Sequence, residues 1–154
     1  AQAIETSLMS HIYFAKTFSQ ILIKQNVGKI ILINGVLSIQ PDPNLIISST
    51  TTGAVRNFAK AISKEFGQYN VTVNIVNPGP TQTSLWEKVS EKLSYQFQIE
   101  TDEFNELVKQ NCPLKKIASP DDVADTVVFL CSSKASFLNG TSITVDGGGV
   151  SALS

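Results

Sequence analysis

Five consecutive hydroxyl side chains from Ser48 to Thr52 (SSTTT), a single histidine at His11, carboxylates at Asp121, Asp122 and Asp125, and glycines at 147–149 are the residues whose type and spacing could do chemistry. A hydroxyl becomes a nucleophile or proton donor only beside a base or cation that activates it. His11 has no base or metal ligand spaced for it along its own helix, so a surface or packing role is favoured. The hydroxyl run is read as capping backbone N–H groups at a helix start. Asp121 and Asp122 fit the first turn of a helix, and Asp125 fits a solvated face. The glycine triplet reads as a structural turn, because no helix follows it to build a phosphate site. Trp86, Tyr95, Phe97 and Phe104 leave two readings open: lining of a substrate pocket, or packing of their segment onto the sheet.

The elements that would position these residues follow from periodicity. Ile4, Leu8, Ile12, Ala15, Phe18 and Leu22 recur at helical spacing from Ala3 to Lys24, and Asn26 and Gly28 end the run. Lys29 to Ile33 (KIILI) is an unbroken aliphatic run, as expected of a strand covered on both faces. A loop around Pro41, Asp42 and Pro43 follows. Ser49 to Phe66 carries Val55, Phe58, Ala59, Ile62 and Phe66 on one helical face. Val71 to Val76 is a second strand, stopped by Asn77, Pro78, Gly79 and Pro80. Residues 84–117 are polar and weakly periodic, which suggests two short helices forming a lid. Ser119, Pro120 and Asp122 form an N-terminal capping signal for a helix through Val127 to Leu130. Ser142 to Val145 is a last short strand. Alternating helices and strands predict an α/β fold with a parallel sheet, here three strands and four to five helices in a single domain over 1–154.

Composition narrows the function classes. Twelve Lys and Arg against thirteen Asp and Glu give a net charge of -1, without the basic stripe that a phosphate backbone requires, so no nucleic-acid partner is expected. No apolar run approaches the roughly 20 residues of a membrane span, and no secretory leader pattern opens the chain. Cys112 and Cys131 form no metal-ligand spacing and read as two buried thiols in a reducing, cytoplasmic setting. No metal site is expected. The chain opens directly in an amphipathic pattern, which suggests a missing upstream segment.

Four segments, "GKIILING", "GAVRNFAKAISKEF", "VTVNIVNPGPTQT" and "SPDDVADTVVFLCSSKASFLNGTSITVDGGG", cover almost the whole chain. Together they resemble the C-terminal part of the short-chain dehydrogenase/reductase family, Rossmann-type NAD(P)-dependent oxidoreductases. That resemblance implies a partial doubly wound sheet lacking the dinucleotide-binding half, since no G-x-x-x-G-x-G follows any strand. The family's reaction uses an Asn, a Ser and a Tyr-x-x-x-Lys pair: Tyr as acid or base, Lys lowering its pKa and holding the nicotinamide ribose, Ser polarising the carbonyl, Asn supporting a relay water. Those positions fall on Ser7, Gly35, Ser48 and Thr52, and all four differ.

An alkanol at Ser48 cannot replace a phenol near neutral pH, and Thr52 brings no charge to activate it. The resemblance also implies a vestigial nicotinamide contact at Pro78, Gly79, Thr81 and Thr83. It implies a homo-oligomer through helices 3–24 and 49–66, with Phe58 and Phe66 at the interface, and an exposed edge at strand 29–33 that a partner chain would cover. The leading expectation is therefore a degenerate or truncated family member without hydride transfer, binding no cofactor by itself and keeping an oligomerisation or binding role. The alternatives are an active NAD- or NADP-dependent oxidoreductase of a carbonyl or alcohol substrate, its N-terminal half supplied by another chain or a longer precursor, and an interaction module that pairs through the open edge.

Overall fold

A computed structural model describes residues 2–152, so residue 1 and residues 153–154 of the expected domain lie outside the described residues. A π-helical turn, Ile4–Met9, leads into α1, Ser10–Gln25. Strand β1 spans Gly28–Ile33, α2 Ile46–Gly67 and β2 Val71–Pro78. Two helices follow, α3 at Ser84–Phe97 and α4 at Thr101–Asn111, then α5 at Pro120–Cys131 and β3 at Ser142–Val145. The strands form one parallel sheet in the order β1-β2-β3, with Gly28 opposite Val71 and Ile75 opposite Ser142. This is the α/β arrangement expected from the alternation of elements.

Burial on both faces explains the aliphatic run of β1. Ile30 and Leu32 join Ala15, Val55, Ala59 and Ile62 beneath α1 and α2, while Ile31 packs on the opposite cluster with Val76 and Leu130 under α5. Lys29, inside that run, sends its ammonium to the carbonyls of Leu130 and Ser132 at 3.2 and 2.9 Å. A cation there satisfies carbonyls that the end of α5 leaves unpaired. Among the described residues β1 pairs only with β2, so its outer edge is open as expected.

Several expectations need correction. The first helix covers residues 3–24 but is not regular α throughout: over Ile4–Met9 the ring of His11 faces the Ser7 carbonyl, and the amide of Ser10 bonds back to Glu5, a π-type step. A side chain competing for a helical carbonyl is a known cause of such a defect. The second helix begins at Ile46 rather than Ser49, because Asp42 caps a 3-10 turn at Pro43–Leu45 that runs straight into it. The hydroxyls of Thr50, Thr51 and Thr52 therefore sit inside the helix and donate to carbonyls four residues back instead of capping it. Phe66 is buried, and Phe58, half-buried, packs against the same core. On α1, by contrast, Phe14 and Phe18 are exposed and lie 4.4 Å apart between ring centroids. Cys112 is buried but Cys131 is exposed.

The cap of α5 forms as its sequence predicts. The Asp122 amide donates to Ser119 Oγ, and the Asp122 carboxylate accepts from the Ser119 amide at 2.7 Å and from Lys116 at 3.1 Å. The Ser119 amide, then Lys116, hold the Asp122 carboxyl at about 2, below its ordinary 3.8. A depressed native pKa stabilises the fold above the unfolded value and is lost as pH falls through the folded one. Stability should therefore decline between about pH 4 and pH 2, and Asp122→Asn should flatten that part of the profile in urea unfolding followed by circular dichroism.

Candidate functional site

The carboxyl ends of the three strands come together around a cavity of 710 Å3, the place where ligands bind in open parallel sheets. Val36 and Leu37 after β1, Gly79 and Pro80 after β2, and Val145 at the end of β3 line it, with Val108 and Asn111 of α4 closing one side. A β-carbon on Gly79 would meet Asp146 at 2.9 Å, so glycine is what lets the exits of β2 and β3 touch. The Asp146 carboxylate then accepts from the amides of Gly148 and Val150, at 3.0 and 2.7 Å, across a turn where Gly147 and Gly148 have positive φ. This is the structural turn expected of the glycine triplet.

Behind the cavity wall lies a polar network with no counterpart in the sequence reading. Asn77, fully buried on β2, accepts from Ser38 Oγ at 3.1 Å and from Asn34 Nδ2 at 3.3 Å, and donates to Ser142 Oγ at 2.6 Å. Asn34 also donates to the carbonyl of Thr52 at 3.1 Å. One amide thus ties the loop after β1 and the start of β3 to β2, and Asn34 carries the connection on to α2. The only available signal was a pair of asparagines ending two successive strands, Asn34 and Asn77, which turn chemistry explained equally well.

Gly35 and Thr52 are neighbours: a β-carbon on Gly35 would lie 3.9 Å from the Thr52 methyl. Ser48 stands one turn earlier on α2 and is exposed, and Ser7 lies in the π-helical turn. Thr52 spends its hydroxyl on the Ser48 carbonyl at 2.7 Å. None of the four positions lines the cavity. The cations further along α2 face elsewhere, Arg56 toward the Ser38 carbonyl at 3.5 Å and Lys60 toward that of Gly140 at 3.0 Å. His11 bridges α1 to β1 through the Ile33 carbonyl at 3.2 Å. Among the described residues no three His, Cys, Asp or Glu side chains converge as a metal site, and no helix is long and apolar enough to cross a membrane.

Of the aromatic residues left open above, Trp86, Phe97 and Phe104 stack with centroids 6.2–6.3 Å apart, and Trp86 Nε1 donates to Asn105. They hold α3 to α4, and Tyr95 is exposed; none of them lines the cavity.

The sequence pattern of a family described as enoyl-(acyl carrier protein) reductase matches residues 1–149. The chain belongs to the short-chain dehydrogenase/reductase family. It is 31% identical over 145 residues to a 3-oxoacyl-[acyl-carrier-protein] reductase of Buchnera aphidicola, covering 94% of this chain and 55% of that protein. An NADPH-dependent reductase of Bacillus subtilis is 32% identical, with 86% and 51% covered. The crystal structure of an NADPH-dependent reductase involved in bacilysin biosynthesis superposes with a TM-score of 0.87 at 28% identity, over 94% of this chain and 56% of that one. The chain spans about half the length of the curated relatives it matches.

Relatives of this short-chain dehydrogenase/reductase domain are NADPH-dependent reductases, and the loop after β2 holds the residues that the resemblance assigns to a nicotinamide. Thr81 donates its hydroxyl to the Gly79 carbonyl at 2.9 Å, and Thr83 donates to the Thr81 carbonyl while capping α3 through the Trp86 amide. Both hydroxyls are engaged within the loop. The Gly79 backbone lies against Asp146, and Thr52 carries an uncharged side chain. Replacing Asn77 with Ala should remove one hydrogen-bond partner each from half-buried Ser38, Asn34 and Ser142 and cost about 1–3 kcal/mol in urea unfolding; a loss below about 0.5 kcal/mol, the usual range of a surface change, would mean that the network does not tie the strands together.

Proposed function

We propose that this chain is a short-chain dehydrogenase/reductase domain that keeps the family's scaffold without its acid–base chemistry, and that its role is assembly or binding. The observation that carries this reading is the content of the family's reaction positions. Gly35, Ser48 and Thr52 hold no ionisable group, and Thr52 has its hydroxyl turned into its own helix. A positioned general acid is worth about 10²–10⁴-fold in rate, and the cations further along α2, Arg56 and Lys60, reach toward the Ser38 and Gly140 carbonyls instead.

Assembly is supported by the surface that remains uncovered. Phe14, Phe18 and Ile21 of α1 are roughly half exposed, and beside them β1 leaves one edge unpaired. Exposed apolar stripes and open edges mark surfaces that another element covers. We place the oligomer contact on this stripe rather than on Phe58 and Phe66.

A second reading, an NAD- or NADP-dependent reductase of carbonyl compounds completed by further polypeptide, is favoured by the names of the relatives and by their roughly twofold greater length. The two readings separate in one assay. Protein purified from its own source, given NADPH or NADH and a 3-oxoacyl thioester or a simple diketone, should oxidise no cofactor above the blank. Turnover that disappears in Ser48→Ala would establish the reductase instead. For the assembly role, Phe14→Glu with Phe18→Glu should lower the mass measured by size-exclusion light scattering while the circular dichroism spectrum is retained; an unchanged mass would remove α1 from the interface.

A further inference from the structure

A second cavity, of 470 Å3, lies between α2 and the start of β3, apart from the strand-end cleft. Arg56, Asn57 and Lys60 form its helical wall, Thr141 and Ser142 the opposite wall, and aliphatic side chains of β2 its floor. Arg56 and Lys60, four residues apart, share one helical face. No carboxylate lines the cavity, and among the described residues neither cation belongs to an ion pair.

The donors there are underused. Arg56 makes one long contact, 3.5 Å, through Nη1, and Lys60 commits one of its three hydrogens to the Gly140 carbonyl. Ser142 Oγ already accepts from Asn77, so its own hydrogen is free to donate. Among the described residues, the Asn57 amide and the Thr141 hydroxyl make no side-chain hydrogen bond. Two like charges held over an apolar floor repel each other, and a bound anion relieves that repulsion while meeting the spare donors. A planar guanidinium fork beside an ammonium suits the several oxygens of a phosphoryl group better than a single halide. The cavity exceeds what a bare oxyanion occupies, which leaves room for a small substituent.

We propose that the α2–β3 cavity binds a phosphoryl anion, free or as a small monoester, through Arg56 and Lys60. This site is independent of the reaction positions and of whether the domain transfers hydride. The test is a titration at constant ionic strength with inorganic phosphate and, separately, glycerol phosphate, following backbone amide shifts by NMR. Saturable shifts are expected at residues 56–60 and 140–142. Arg56→Gln with Lys60→Gln should weaken binding about tenfold or more, whereas Lys64→Gln, an exposed lysine of the same helix outside the cavity, should leave it unchanged. Equal affinity for both probes assigns recognition to the phosphoryl group alone, and tighter binding of the ester assigns a role to the spare volume. Shifts that never saturate, that respond equally to all the variants, or that centre on Lys115 and Lys116 would overturn the proposal. Should the double variant lose its dispersed amide spectrum, Arg56→Gln alone decides, since its single protein contact is already long.

Discussion

Because β2 is flanked by a strand on each side and covered by helices on both faces, its backbone and side chains have no water to fall back on. Most of the polar groups it carries are then met by protein. Val71, Val73, Ile75 and Val76 answer this by being aliphatic and at most 3% exposed. Asn74 and Asn77 answer it by hydrogen bonding: Asn74 holds the Leu138 carbonyl and the Thr141 amide, and Asn77 gathers Ser38, Asn34 and Ser142. The Asn139 side chain adds a clamp by accepting from the Val73 amide and donating to the Ser63 carbonyl. Among the described residues, the buried hydroxyls of Thr72 and Thr144 lack a partner. Burial of the central strand therefore dictates where β3 lies and how the loops leave the sheet.

That constraint separates scaffold from chemistry. Gly35 and Thr52 are brought together by the β1–β2 register and by α2 lying across it, whatever side chains those positions carry. Acid–base catalysis needs an ionisable group of suitable pKa at the meeting point, and glycine and threonine supply none. A fold can be kept by its core while its site changes, because the core is held by aliphatic volume and the site by the identity of a few surface-facing atoms.

The cover on the sheet is uneven. α5 and its capping box close one face near β3, and the α3–α4 pair, braced by Trp86, Phe97 and Phe104, reaches the strand-end cleft only through residues such as Val108 and Asn111. β1 keeps a free edge, and α1 beside it keeps Phe14 and Phe18 in solvent. This exposed apolar surface contrasts with the covered β2 one strand away.

What the sequence determined by itself is the set of local features with strong, short-range causes. The KIILI run, the aliphatic alternation of β2, the Ser119–Asp122 cap and β3 from Ser142 to Val145 each follow from burial period or from one hydrogen-bonding pair, and all stand where the pattern puts them. The identities at Ser7, Gly35, Ser48 and Thr52, the positions that the resemblance implies for the reaction, were equally legible, since they need no coordinates. Tertiary structure decided the rest. The SSTTT run became helix interior because Pro43 and Asp42 started α2 early, the π-turn arose because His11 reached the Ser7 carbonyl, and Phe66 turned into core. Asn34, Ser38, Asn77 and Ser142 became one network, and Arg56 and Lys60 came to face Thr141 and Ser142. The asparagine network joins groups as far as 65 residues apart across the sheet, and pairings at that separation are fixed by strand register and helix docking, which no local pattern encodes; the start of α2 and the π-turn are instead set by contacts within a few residues.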